Sequence, residues 1–229
     1  MRFRVIPVLA ALALSGAASL ATGGARFSNG PEPSHTGAPA VGAHPAEPVC
    51  TQCHTAGTSG PNLNAAGGAV EILDLPDMYA PGITYRLRVR LASDSTARFP
   101  DRRWGFQLTA VNAADGTGAG TFTVRGAQSG GDTLQVMDAD PVDGWPTRRY
   151  VEHLWDGVHD GATGPVEWSF DWTAPAQGLG TVLFYAAGNA ANGSYEPGGD
   201  WIYTTADSMR DTTTAVVATS WGALKARWR

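Results

Sequence analysis

The chain has 229 residues, 16 basic and 21 acidic, with a formal charge of −5 at pH 7. An acidic balance of this kind argues against nucleic acid as a partner. Neither GxSxG, a Walker-type loop nor HExxH occurs, so the sequence displays no catalytic nucleophile.

At the amino terminus, Arg2 and Arg4 precede an apolar run from Val5 to about Leu20, and Ser19-Leu20-Ala21 has the small-residue character of a cleavage site. Residues 1–21 therefore read as a secretory signal peptide, with an uncleaved anchor as the alternative. Removing them takes away two arginines and no acids, which leaves 14 basic against 21 acidic residues. About 208 residues then remain, enough for one sizeable β domain or two small ones. The mature chain is expected to have no transmembrane domain and to be exported, to a bacterial periplasm, cell surface or exterior.

Residues 22–66 are rich in Gly, Pro, Ala, Thr and Ser and lack periodicity, which predicts an irregular segment. Within it stands Cys50-Thr51-Gln52-Cys53-His54, which contains the only cysteines of the chain. CxxCH is the attachment signature of c-type haem. The spacing suits the chemistry: the two thiols can each add to one porphyrin vinyl group, and the histidine that follows can place a ring nitrogen on the iron. One covalent haem c is expected, held by Cys50 and Cys53 with His54 as proximal ligand. A redox dithiol, a disulfide closing a very short loop, or a zinc site drawing on the remaining histidines are the alternatives.

From about Ala69 the pattern changes to period two. Ile83, Tyr85, Leu87, Val89 and Leu91 alternate with Thr84 and arginines 86, 88 and 90; Trp104, Phe106 and Leu108 alternate with Gly105, Gln107 and Thr109; Val166, Trp168, Phe170 and Trp172 alternate with Glu167, Ser169, Asp171 and Thr173. These predict half-buried antiparallel strands. Further strands are expected near 119–125, 132–137, 149–155, 181–187 and 200–206, separated by turns such as Asp115-Gly116 and Asn192-Gly193. About eight short strands without a long helical pattern predict an all-β, two-sheet sandwich over 67–210, with Trp104, Trp155, Trp168 and Trp172 as core bulk.

Several stretches resemble the bacterial Reeler-type, choice-of-anchor V domains. They are Phe27-Ser28-Asn29-Gly30-Pro31, His35-Thr36-Gly37-Ala38-Pro39 before the CTQCH, and Arg103 to Ala110. Tyr150-Val151-Glu152-His153, Phe170 to Pro175 and Phe184 to Gly193 complete the set. The resemblance covers about 27–207. It implies an immunoglobulin-like antiparallel sandwich, export and surface attachment through a variable carboxyl terminus, but no known reaction. Reeler domains of eukaryotes lack the haem motif, so a redox role rests on CTQCH itself.

For the second iron ligand, His153 is the first candidate. Its parity in the strand expected over 149–155 puts it beside Val151 and Trp155 on the apolar face, where an iron bond would satisfy a ring nitrogen. His35 is the second candidate, and His44, His159, Met78, Met137 or an open position complete the set. A core histidine bonded to a backbone carbonyl is the competing reading of His153. Asp138, Asp140 and Asp143 have the wrong spacing for a calcium loop, and Arg149 stands where its terminal Glu belongs. In the tail, 211–229, Ser220 could cap a short amphipathic helix bearing Trp221, Leu224 and Trp228, a docking peptide for surface-attachment or secretion machinery.

Three functions compete. The first is a monohaem electron-transfer module with an unidentified redox partner protein. The second is an extracellular binding or structural module, and the third is a haem enzyme or small-gas sensor.

Overall fold

The computed structural model describes residues 30–57, 62–125, 133–140 and 144–212. The expected signal peptide, the expected tail helix and Asp143 lie outside them. Ten strands are found among the described residues: β1 (Gly68–Leu73), β2 (Met78–Tyr79), β3 (Thr84–Ser93), β4 (Arg103–Asn112), β5 (Thr121–Thr123), β6 (Leu134–Asp138), β7 (Arg149–His153), β8 (Val166–Thr173), β9 (Thr181–Ala191) and β10 (Trp201–Asp211). One sheet has the order β1-β3-β8-β5 and the other β2-β10-β9-β4-β7-β6. Pairing is antiparallel except where β2 runs parallel to β10. The chain is thus an all-β, two-sheet sandwich preceded by an irregular segment. Among the described residues, helix is limited to three 3₁₀ turns, and no helix is long and apolar enough to cross a membrane.

The alternation of β3 and β8 works as read. Leu87, Val89, Leu91, Val166, Trp168, Phe170 and Trp172 are buried. Arg86 and Arg88 point outward to ion pairs with Asp171, Asp74 and Glu167. Period-two spacing puts one set of side chains into the space between the sheets and leaves the other in water. Across that space Phe106 of β4 meets Trp168 at 4.6 Å between ring centroids, and Trp172 meets Phe184 of β9 edge-on at 5.0 Å. The indole N–H groups of Trp104, Trp168 and Trp172 all donate to backbone carbonyls, so this aromatic core buries no unpaired indole donor.

Four expectations fail, each for a local reason. Gly105, Gln107 and Thr109 alternate like a solvent face, yet every residue of β4 from Trp104 onward is buried, because the segment 30–57 lies over that outer face. The strand expected over 149–155 stops at His153, and Trp155 sits in a 3₁₀ turn. Trp155 is consequently not core bulk but 41% exposed. Ile83 precedes the first residue of β3 and is exposed. Strands β1 and β2 were not separately predicted; β1 pairs with β3 over its full length.

The covering segment is fastened by polar groups. Thr36 and Val49 form an isolated antiparallel bridge, so residues 36–49 run out and back. Glu47, at its returning end, is buried and accepts from Arg148 at 2.6 Å, Tyr150 at 2.7 Å and the Thr36 hydroxyl at 2.5 Å. Arg148 is itself 1% exposed and also donates to the Gly116 carbonyl. Further along, the Thr55 N–H donates to Pro197, and the Gly199 N–H to Thr55. These bonds carry the CxxCH motif to the ends of β9 and β10.

Candidate functional site

Cys50–Gln52 form a 3₁₀ turn, entered from extended Val49 after Pro48. The Cys50 carbonyl accepts from both the Cys53 and the His54 N–H, at 3.2 and 2.9 Å. Residues three and four apart on such a turn share a side, and Cys50, Cys53 and His54 line one pocket. Both cysteines are free thiols, Cys50 half-buried and Cys53 exposed. Burial pushes the Cys50 thiol up to about 12, with nearby Cys53 and Glu152 acting in the same direction. The thiol is therefore protonated at neutral pH and a poor nucleophile for disulfide exchange.

His54 is held from behind. Its Nδ1 lies 2.6 Å from Oδ2 of Asp200, a carboxylate 1% exposed whose other oxygen accepts the Asn192 N–H at 3.0 Å. Asn62 adds a bond to the His54 carbonyl. A carboxylate at Nδ1 places the ring proton there and leaves Nε2 as a free lone pair, the arrangement by which proteins orient metal-bound imidazoles.

The pocket has a volume of about 60 Å³ and is walled by Pro31, Glu32, His35 and Phe106 besides the motif residues and Asn189. It is an attachment ledge, far smaller than a tetrapyrrole. Two free thiols and an oriented imidazole on one ledge are the donor set that covalent haem requires, so the residues present fit the group. Among the described residues no three His, Cys, Asp or Glu side chains converge into a cluster able to hold a metal ion.

The structure brings His35 to this pocket and leaves His153 behind its wall. His35 Nε2 is 2.8 Å from the side-chain oxygen of Gln52, inside the motif. His153 is packed on Gly105, where a Cβ would approach its ring to 2.5 Å, and its Nδ1 is held by the Phe106 backbone, 3.0 Å from the N–H and 3.2 Å from the carbonyl oxygen. Burial depresses His153 to about 4. The parity argument for it depended on a strand reaching Trp155, and the strand ends two residues earlier. His44 bonds to the Gly144 carbonyl, His159 stacks edge-on against Trp168, and Met137 lies opposite Tyr150 in the β6–β7 ladder. None of these three, nor Met78, lines the pocket. Asp138 is paired with Arg149 at 2.8 Å.

Sequence reasoning missed Asp200 and Glu152. Asp200 follows two glycines with no local signal of its role. Glu152 is buried between the amides of Gln107 and Gln135, at 2.7 and 2.8 Å, with no cation in those contacts. Its burial raises its pKa to about 7.

No protein-family model and no curated protein sequence matches this chain. Among solved structures the chain is similar to the Reelin-N domain of F-spondin, at 20% identity over 69% of this chain and 93% of that one, with a TM-score of 0.40. The human F-spondin reeler domain shares 19% identity over 64% and 93%, with a TM-score of 0.38. AvmM, which catalyses macrocyclization in alchivemycin A biosynthesis, shares 14% identity over 68% and 94%, with a TM-score of 0.35.

Proposed function

We propose that this chain is an exported monohaem c-type electron-transfer module, with the haem segment carried on a Reeler-like β-sandwich. The observation that carries the reading is the His54–Asp200 contact at 2.6 Å beside two unpaired thiols on the same pocket. An imidazole with its Nδ1 proton committed to a buried carboxylate is prepared to give its other nitrogen to a metal.

Cys50 and Cys53 would hold the haem as thioethers. Each S–H adds across a vinyl group, sulfur to one carbon and hydrogen to the other, so no oxidant is consumed. Bound haem would supply a one-electron iron couple. The chain supplies the rest. Asp200 fixes the ring of His54 and makes it a stronger donor, Phe106 gives an apolar wall, and the 30–57 segment keeps water from β4. The signal-peptide pattern at residues 1–21 supports export, the route on which haem is attached to CxxCH chains.

The test is purification after export from a host with haem-maturation machinery, followed by extraction of the denatured protein with acidified organic solvent. The haem should remain on the polypeptide, and a Cys50→Ser, Cys53→Ser double variant should lose it. Complete release of haem, or a wild-type mass without it, would overturn the proposal and leave an extracellular binding or structural module.

A further inference from the structure

On the haem reading, His54 would hold the iron from one side, and whether a second residue holds it from the other would decide if the iron only exchanges electrons or also binds small molecules. We infer that His35 supplies the second axial ligand, making the iron six-coordinate and closed to exogenous ligands. This rests on the haem reading above.

Three features of His35 carry the inference. It lines the pocket with both thiols and His54. Its backbone is pinned, since its N–H donates to the Gln107 side chain at 2.7 Å and the Gln107 amide returns a bond to the Glu32 carbonyl at 2.9 Å. Gln107 belongs to the central strand β4, so the imidazole is mounted on the rigid part of the fold.

The third feature is the protonation pattern of the ring. Nδ1 lies 3.0 Å from both the Glu32 and the Pro33 carbonyl oxygens, while Nε2 faces the Gln52 side-chain oxygen at 2.8 Å. A neutral imidazole has one N–H and cannot donate from both nitrogens. Backbone carbonyls cannot turn over, whereas a glutamine amide can, and its oxygen and nitrogen are interchangeable assignments. The proton therefore sits on Nδ1, and Gln52 presents its NH₂ to an unprotonated Nε2. That lone pair is what iron takes, and the group it displaces is a side chain of the attachment motif itself. His35 and His54 thus share one design: Nδ1 is tied to an oxygen and Nε2 is left available.

His153 is placed differently. Its Nδ1 is held by the Phe106 backbone, 3.0 Å from the N–H and 3.2 Å from the carbonyl oxygen, and its ring does not line the pocket.

The experiment uses the full haem-loaded protein and reads electron paramagnetic resonance, visible absorption of both oxidation states, and carbon monoxide binding. Wild type should be low-spin and unreactive to carbon monoxide. His35→Ala should become high-spin and bind carbon monoxide, and added imidazole should restore the low-spin spectrum. His35→Met, which keeps a ligand, should stay low-spin with a raised potential. His153→Ala should behave as wild type. A low-spin, unreactive His35→Ala protein, or a high-spin wild type, would overturn His35 as ligand while leaving covalent haem intact. A wild-type chain without covalent haem would instead defeat the function proposed above.

Discussion

Glu152 and His153 are neighbours in β7, and burial moves them in opposite directions on the pH scale. Glu152 rises from 4.5 to about 7 and His153 falls from 6.5 to about 4. A raised carboxyl favours the folded state while protonated, so its contribution is full below pH 4.5 and is lost as pH rises to about 7. A depressed imidazole favours the folded state while neutral, so its contribution is full above pH 6.5 and is lost as pH falls through about 4. Between pH 4.5 and 6.5 the two slopes oppose, and the pair contributes little net pH dependence. Glu152→Gln breaks the compensation. Measured by urea unfolding, the stability of this variant relative to wild type should grow by about 3 kcal/mol from pH 4.5 to 7; a difference that stays flat would refute the assignment. At this scale the sequence places Cys50, Cys53 and His54 in adjacent positions, and the structure sets them on one pocket. It did not disclose Asp200 or Glu152, whose roles come from what a distant segment lays against them.

At the scale of elements, alternation is legible where one face meets water. β3 and β8 read correctly because their outer residues, such as Arg88 and Glu167, are solvated and paired at the surface. β4 carries a similar pattern but has a second cover: Gln107 bonds to that cover, and the Thr109 hydroxyl donates to the Arg149 carbonyl of β7. Sequence periodicity reports polarity, and polarity here means hydrogen bonding within the protein, to the 30–57 segment for Gln107 and to β7 for Thr109. The segment itself looked like loop because its order comes from few groups with little backbone regularity. Chief among them is the Glu47–Arg148 pair, both side chains fully buried. Removing one partner of a buried pair strands the other charge. Arg148→Ala should therefore lower stability by about 3–5 kcal/mol, read as the urea midpoint. A loss below about 1 kcal/mol would show that Glu47 is neutralised or rehydrated without cost.

On the scale of the whole molecule, the sandwich and the segment that bears CxxCH form a single set of contacts. Trp172, Trp168 and Phe106 join the sheets, while Gln107, Glu47 and Asp200 tie the segment to the six-stranded sheet. Denaturant titration should therefore give one transition, with backbone circular dichroism and, in protein that carries the proposed haem, the visible signal changing together. Separation of the two, with the visible signal lost first, would mean that the segment folds independently. The His54–Asp200 contact spans 146 positions, and Asp200 stands just before β10, the last strand among the described residues. In a chain exported from its amino terminus, CxxCH would lead and Asp200 would trail by most of the chain. Closing so long a loop is a late event in folding. On the proposed function, haem attachment would precede the aiming of the His54 ring, and the redox potential would be acquired at the end of folding, a built-in marker separating finished molecules from merely loaded ones.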